Sequence, residues 1–141
     1  LKGWFDRVLA HPELHSSKRR FDTGICKGKK ALFCVTTGCT EAESAHDGKE
    51  GDVVMLLWPA AYTLRYCGFT VLNPITVHDV HPNGETALRT RLDTVLKSQK
   101  DVIETFDDLP EIAFNPDTDF TTDGHLKPDR PSHSLFIRHQ P

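Results

Sequence analysis

With 141 residues, 38% hydrophobic and 26% charged, the chain has the length and composition of one globular domain. Its formal net charge of -3 excludes a general nucleic-acid binder, which needs surplus Lys and Arg to neutralise phosphates. The longest apolar run, Val53 to Trp58, is far too short to cross a bilayer, so no membrane partner is expected.

Leu1 to Ala10 carries apolar residues at 1, 4, 5, 8 and 9, a spacing that predicts a helix entered without a cap. His11-Pro12 ends it. Pro12 to Gly28 is polar and irregular, a long loop of the kind that is usually functional, with Phe21 as its anchor. Lys30 to Val35 predicts a strand whose small and β-branched stretch, Ala31 to Val35, is expected to be buried on both faces. It stops abruptly in Thr36, Thr37 and Gly38. Ligands in open α/β sheets sit outside the carboxyl ends of the strands, which puts the working end at Thr36 to Thr40.

Cys39 to Gly51 reads as a polar loop. Asp52 is placed to cap a helix over Val53 to Cys67, which Pro59 should kink or split and Gly68 should end. Phe69 to Val77 predicts a second strand, at a sheet edge because Pro74 cannot donate to a ladder. Asn83 is the expected cap of a long helix whose apolar positions 88, 92, 95, 96, 102, 103 and 106 form one face. From 108 to 141 the Pro, Asp and Thr content predicts an extended, mostly irregular tail, docked through Phe114, Phe120 and Leu135-Phe136-Ile137.

Strand, helix, strand, helix implies two parallel strands joined by a crossover. Two strands do not make a stable sheet alone. Residues 1–107 are therefore expected to be the C-terminal half of a larger doubly wound α/β domain, or to be completed by another chain. The start at Leu1 rather than a methionine agrees with an upstream segment.

The four cysteines, Cys26, Cys34, Cys39 and Cys67, have neither CxxC nor zinc-ribbon spacing and read as reduced thiols of a cytoplasmic protein. Among the histidines, His78-x-x-His81 and His11-x-x-x-His15 have suggestive spacing, but Pro12 and Pro82 interrupt both, and no metal site is expected. Six of the seventeen basic residues fall between Lys18 and Lys30, which reads as a solvated loop and strand edge.

LKGWFDRV at Leu1 to Val8, KKALFCVTTG at Lys29 to Gly38, GDVVMLLWP at Gly51 to Pro59 and YCGFTVLNP at Tyr66 to Pro74 resemble the flavodoxin-like NAD(P)H:quinone oxidoreductases, the DT-diaphorase group. The match keeps order and spacing over about two thirds of the chain and continues more weakly around Ser134 to Gln140. The resemblance implies a five-stranded parallel sheet of which this chain holds the last two strands and their helices, the first strand and a Trp-Phe loop lying before Leu1. It implies a flavin, FAD rather than FMN, that takes hydride from NAD(P)H and passes it to a quinone in the same pocket of a homodimer.

On that resemblance Thr36, Thr37, Gly38 and Cys39 match the flavin-holding loop, with Cys39 in place of a second glycine, and Arg89 lies close to an arginine at the adenine end of FAD. Ser44 and Glu50 stand where relatives carry an aromatic and a histidine or asparagine that stabilise the reduced flavin. His15 and Ser17 correspond to tyrosines of the quinone pocket, and Tyr66 to an aromatic that closes it across the dimer. The tail from Asp108 is a candidate to reach across that interface. The alternative is a catalytically silent, truncated member that acts as a structural or interaction subunit.

Overall fold

A computed structural model of the chain describes residues 2–81, 85–134 and 136–139, apart from the side chains at 85 and 98. The expected cap Asn83, and Leu1 and Leu135, lie outside the described residues. The elements are α1 (Lys2–Val8), β1 (Lys30–Ala31), β2 (Cys34–Thr36), α2 (Val53–Tyr66), β3 (Thr70–Val71), β4 (Ile75–Val77) and α3 (Glu85–Glu104), with short 3-10 turns at Phe21–Thr23, Phe106–Asp108 and Asp117–Asp119. None of the described helices is long and apolar enough to cross a membrane.

Each expected strand is present but split. β1 pairs with β3, and β2 lies parallel to β4 in the register Cys34 to Ile75 and Thr36 to Val77. The break has a physical cause in Pro74. Leu72 N–H donates to Ala31 O at 2.8 Å, and the next rung runs from Ile75 N–H to Phe33 O at 2.9 Å. One strand thus advances by two residues while its partner advances by three. In register the donor to Phe33 would be Pro74, which has no N–H, so the ladder skips it as a bulge does. On their far side, among the described residues, Leu72 and Asn73 meet an isolated antiparallel bridge, Leu72 to Glu111, and one bond from Asn73 N–H to Pro110 O at 2.8 Å.

Helix α2 begins where Asp52 Oδ1 accepts the Val54 amide at 2.7 Å, taking up a donor that the first turn leaves unpaired. It runs through Pro59 as one element and does not split. Its end is a Schellman cap: Phe69 N–H reaches Leu64 O at 3.1 Å, Gly68 N–H reaches Arg65 O at 2.9 Å, and Gly68 takes φ +99°.

The chain folds into two units. One comprises Leu1–Lys30, Thr63–Thr70 and Ile112–Pro141. Its buried side chains among the described residues are Leu9, Cys26, Leu64, Cys67, Ile112, Asn115 and Asp119. Cys26 N–H donates to Cys67 O at 3.0 Å. Asp22 pairs with Arg65 and accepts the Asp117 amide at 2.6 Å. Asn115 ties the tail to itself, donating to Asp119 Oδ2 at 2.9 Å and accepting from His133 N–H at 3.0 Å. The tail is therefore held by Ile112, Asn115 and Asp119, with Phe114 and Phe120 half-buried, while Phe136 is 53% exposed and does not dock as expected.

The other unit comprises Ala31–Tyr62 and Val71–Glu111, with Val53, Ala61, Val71 and Leu72 buried. Two expectations fail in it. Ala31 to Val35 is not buried on both faces: Cys34 is exposed and the rest are half-buried, because β2 has a strand partner on one edge alone among the described residues. Nor is the apolar face of α3 fully covered. Leu88, Leu92, Val95 and Val102 are half-buried, but Leu96 and Ile103 are 64% and 54% exposed.

Candidate functional site

The parallel register of β2 and β4 brings two loops together outside their carboxyl ends. Thr37 N–H donates to Val77 O at 2.9 Å, Val80 N–H to Thr37 O at 3.1 Å and Asp79 N–H to Cys39 O at 2.9 Å. The Thr37 hydroxyl donates to Cys39 O at 3.0 Å and lies 3.2 Å from His78 Nδ1. The turn 37–39 is thus clamped against 77–80 by backbone and side chain alike. Its second wall is fixed from α3: Arg91 donates to His78 O at 2.9 Å and pairs with Asp79 at 3.2 Å. Asp79 is held left-handed at φ +56°, a region that short polar residues tolerate better than bulky ones.

The four loop residues predicted to hold a cofactor, Thr36, Thr37, Gly38 and Cys39, line this crevice. Among the described residues nothing takes the Thr36 hydroxyl or the amides of Gly38 and Cys39. Three donors at the end of two parallel strands suit a ligand rich in carbonyl or phosphate oxygens. A Cβ at Gly38 would stand 2.9 Å from His81 Cδ2, so the His81 ring packs against this turn at a distance that glycine allows. Cys39 does not fill it: its Sγ lies 2.9 Å from Ser44 Oγ.

Ser44 is buried, at 7% exposure, with its amide bonded to Thr40 O and Glu41 O. Its hydroxyl therefore faces the Cys39 thiol. Glu50 is exposed and lies 3.9 Å from Lys49 Nζ. The loop between is braced by Glu43, which accepts from Thr40 N–H and Thr40 Oγ1, both at 3.0 Å, and pairs with Lys49 at 3.1 Å. The Thr40 amide first, then Lys49, pull the Glu43 carboxyl down to about 2 and raise the Lys49 ammonium in turn.

The residues expected on the substrate side, His15, Ser17 and Tyr66, fall in the first unit. His15 and Tyr66 meet edge to face at 5.3 Å, and Phe21 meets Tyr66 at 5.0 Å. Arg20 lies over both Phe21 and Tyr66, at 5.7 and 6.0 Å. His15 Nε2 is 3.1 Å from Leu9 O, which fixes the ring, while Ser17, two residues on, is exposed and makes no hydrogen bond to this group among the described residues. Arg89 is exposed on α3; the arginine that reaches the crevice wall is Arg91.

Sequence reasoning weighed His78 and His81 only as metal ligands, and passed over Asp79 and Arg91. The signal was available in principle, since residues that follow two paired parallel strands share one crevice, but it needed the register.

A family model described as having the flavodoxin-like fold matches residues 1–99. Rat NAD(P)H dehydrogenase [quinone] 1 is 35% identical over 121 residues, 85% of this chain and 43% of that protein. Mouse ribosyldihydronicotinamide dehydrogenase [quinone] is 45% identical over 75 residues, 52% of this chain and 32% of that protein. A solved structure of a Klebsiella pneumoniae protein assigned as a quinone reductase superposes with a TM-score of 0.68 at 26% identity, over 90% of this chain and 50% of that one. The chain thus spans less than half the length of these curated relatives. It belongs to the flavodoxin-like family that the matching family model describes, and the relatives it is similar to are, by name, NAD(P)H:quinone oxidoreductases, of the DT-diaphorase type.

Proposed function

We propose that the protein carrying this chain is a flavin-dependent oxidoreductase that moves hydride from NAD(P)H to a quinone, with FAD as the flavin, working as a cytoplasmic homodimer. The observation that supports this reading most is the strand end, where Thr36, Gly38 and Cys39 present donors that have no partner among the described residues, on a turn clamped by Thr37. A bound flavin supplies the two-electron chemistry; the protein supplies binding, orientation and electrostatics.

The chain's own residues then have separable roles. The Thr36 hydroxyl and the Gly38 and Cys39 amides bind carbonyl or phosphate oxygens of the cofactor. Ser44 acts from behind, keeping the Cys39 side chain out of the crevice through the bond between their side chains. Glu50 carries its negative charge beside Lys49, which offsets its repulsion of any anionic ring nearby. His15 and Tyr66 give an aromatic surface to the flat quinone, with Ser17 as a polar neighbour, and Arg89 reaches for the adenosine end of FAD. Holding nicotinamide and quinone in turn against one ring is the main catalytic contribution asked of these groups.

The test is a visible absorption spectrum of the purified full-length protein together with quinone-dependent oxidation of NADH and NADPH. Flavin bands and turnover of a small quinone are expected. A colourless protein that takes up no flavin would overturn the reading in favour of a silent structural or interaction subunit. The exposed Cys34 face of β2 favours that second reading, as it offers a surface for a partner.

A further inference from the structure

The Thr37 hydroxyl has one hydrogen and two neighbours. It lies 3.0 Å from Cys39 O, which can only accept, and 3.2 Å from His78 Nδ1, which can do either. If the hydrogen goes to Cys39 O, the contact with His78 is a hydrogen bond only when Nδ1 carries a proton and donates. We propose that His78 is a positioning residue of the crevice: as its Nδ1–H tautomer it donates to Thr37 Oγ1 and commits the Thr37 hydrogen to Cys39 O, which keeps the Gly38 and Cys39 amides open to the cofactor. The cofactor part of this role rests on the flavin reading above.

The surrounding geometry holds the clamp in place. Cys39 O has two lone pairs and two donors, the Thr37 hydroxyl and the Asp79 amide at 2.9 Å. The peptide that follows Cys39 is therefore fixed on both sides. His78 is gripped at its own carbonyl by Arg91, at 2.9 Å, so its ring is delivered from a fixed backbone. Its second nitrogen, Nε2, faces away from Thr37 by the geometry of the ring, and no bond to it occurs among the described residues. In the Nδ1–H tautomer this nitrogen is a bare acceptor, which a hydroxyl or N–H of a bound ligand can meet and a phosphate cannot.

Two measurements on the full-length protein test this. Nitrogen NMR of the His78 ring reads the tautomer directly and does not depend on activity; Nδ1–H is expected, and Nε2–H would overturn the clamp in a protein that binds flavin normally. Dissociation constants for FAD are then compared among His78→Ala, His78→Asn and His78→Gln. Asn places an amide N–H where Nδ1 stands, whereas Gln places it where Nε2 stands. His78→Ala and His78→Gln should weaken FAD about fivefold, the worth of one neutral hydrogen bond, and His78→Asn should restore it to within about twofold. A plain loss of packing would not be rescued by Asn and missed by Gln. Alanine binding FAD as tightly as wild type overturns the proposal alone. A wild-type protein that binds no flavin overturns the functional reading and, with it, the role given to the clamp.

Discussion

Replacing Gly38 loads the crevice without touching the bonds that clamp it. A Cβ there stands 2.9 Å from His81 Cδ2 and 3.6 Å from its Nε2, and among the described residues meets nothing else within 4 Å. His81 is exposed, so its ring can swing aside. Gly38→Ala and Gly38→Val should therefore cost the fold less than about 1 kcal/mol, no more than about 3–5 °C in Tm for a chain of this size. A bound ring has no such freedom. Crowding at a packed contact costs about 1–3 kcal/mol, so Gly38→Val should weaken flavin roughly 5- to 150-fold, with Gly38→Ala between it and wild type. The assay is quenching of flavin fluorescence, run beside a thermal melt of each variant. Wild-type flavin affinity in Gly38→Val would refute the assignment of this loop. A melt lowered by more than about 10 °C would instead refute the claim that His81 yields.

Gly24 is the contrasting case, because its Cβ would fall 2.4 Å from Cys67 O and 2.5 Å from Gly68 Cα, backbone atoms fixed by the cap of α2. Gly24→Ala should destabilise by about 1–3 kcal/mol or more, and an unchanged melt would show that the two segments are not so closely apposed. Burial pushes the thiols of Cys26 and Cys67 up, and the charge of Cys26 raises Cys67 further. Alkylation followed by peptide mass spectrometry should mark the exposed Cys34 at least about tenfold faster than either; equal rates would contradict the burial. Glu43 has a folded value of about 2, below its ordinary 4.5, so the stability it contributes is complete above 4.5 and is lost as pH falls towards 2. A carboxyl-carbon NMR titration should place its midpoint near 2, and a midpoint near 4.5 would dismiss the brace from Thr40 and Lys49.

Elements written in local chemistry were legible in the sequence. Asp52 and Gly68 bracket α2 because a carboxylate that caps amides and a residue that turns left-handed are recognisable residue by residue. The α3 stripe was legible as a helix but not as a buried face, since periodicity says which residues share a side and not how much of that side is covered. Likewise Ala31 to Val35 has the composition of a doubly covered strand, while its exposure depends on neighbours that no local pattern contains. Thr36 to Cys39 was legible as the turn that ends the first strand. The roles of Ser44 and Arg91 were not, because a buried serine on a thiol and an arginine on a distant carbonyl are tertiary facts.

The place of His78 beside the Thr37 hydroxyl was illegible for a reason that Pro74 supplies. Had the ladder that joins Ala31 O to the Leu72 amide continued without a break, each later residue of the second strand would sit one place further along the first. Thr36 would then face Thr76, and Thr37 would face Val77. Because Pro74 has no N–H to give Phe33, the rung passes to Ile75, and the register downstream becomes Cys34 to Ile75 and Thr36 to Val77. A slip of one residue turns every later side chain to the other face of the sheet. It is this slip that sets an imidazole rather than an isopropyl group beside the Thr37 hydroxyl, 3.2 Å away. The proline that marks the second strand as an edge is therefore also what aligns the crevice wall with the loop, so that a residue with no ligand contact of its own determines which group orients the one hydroxyl that clamps the site.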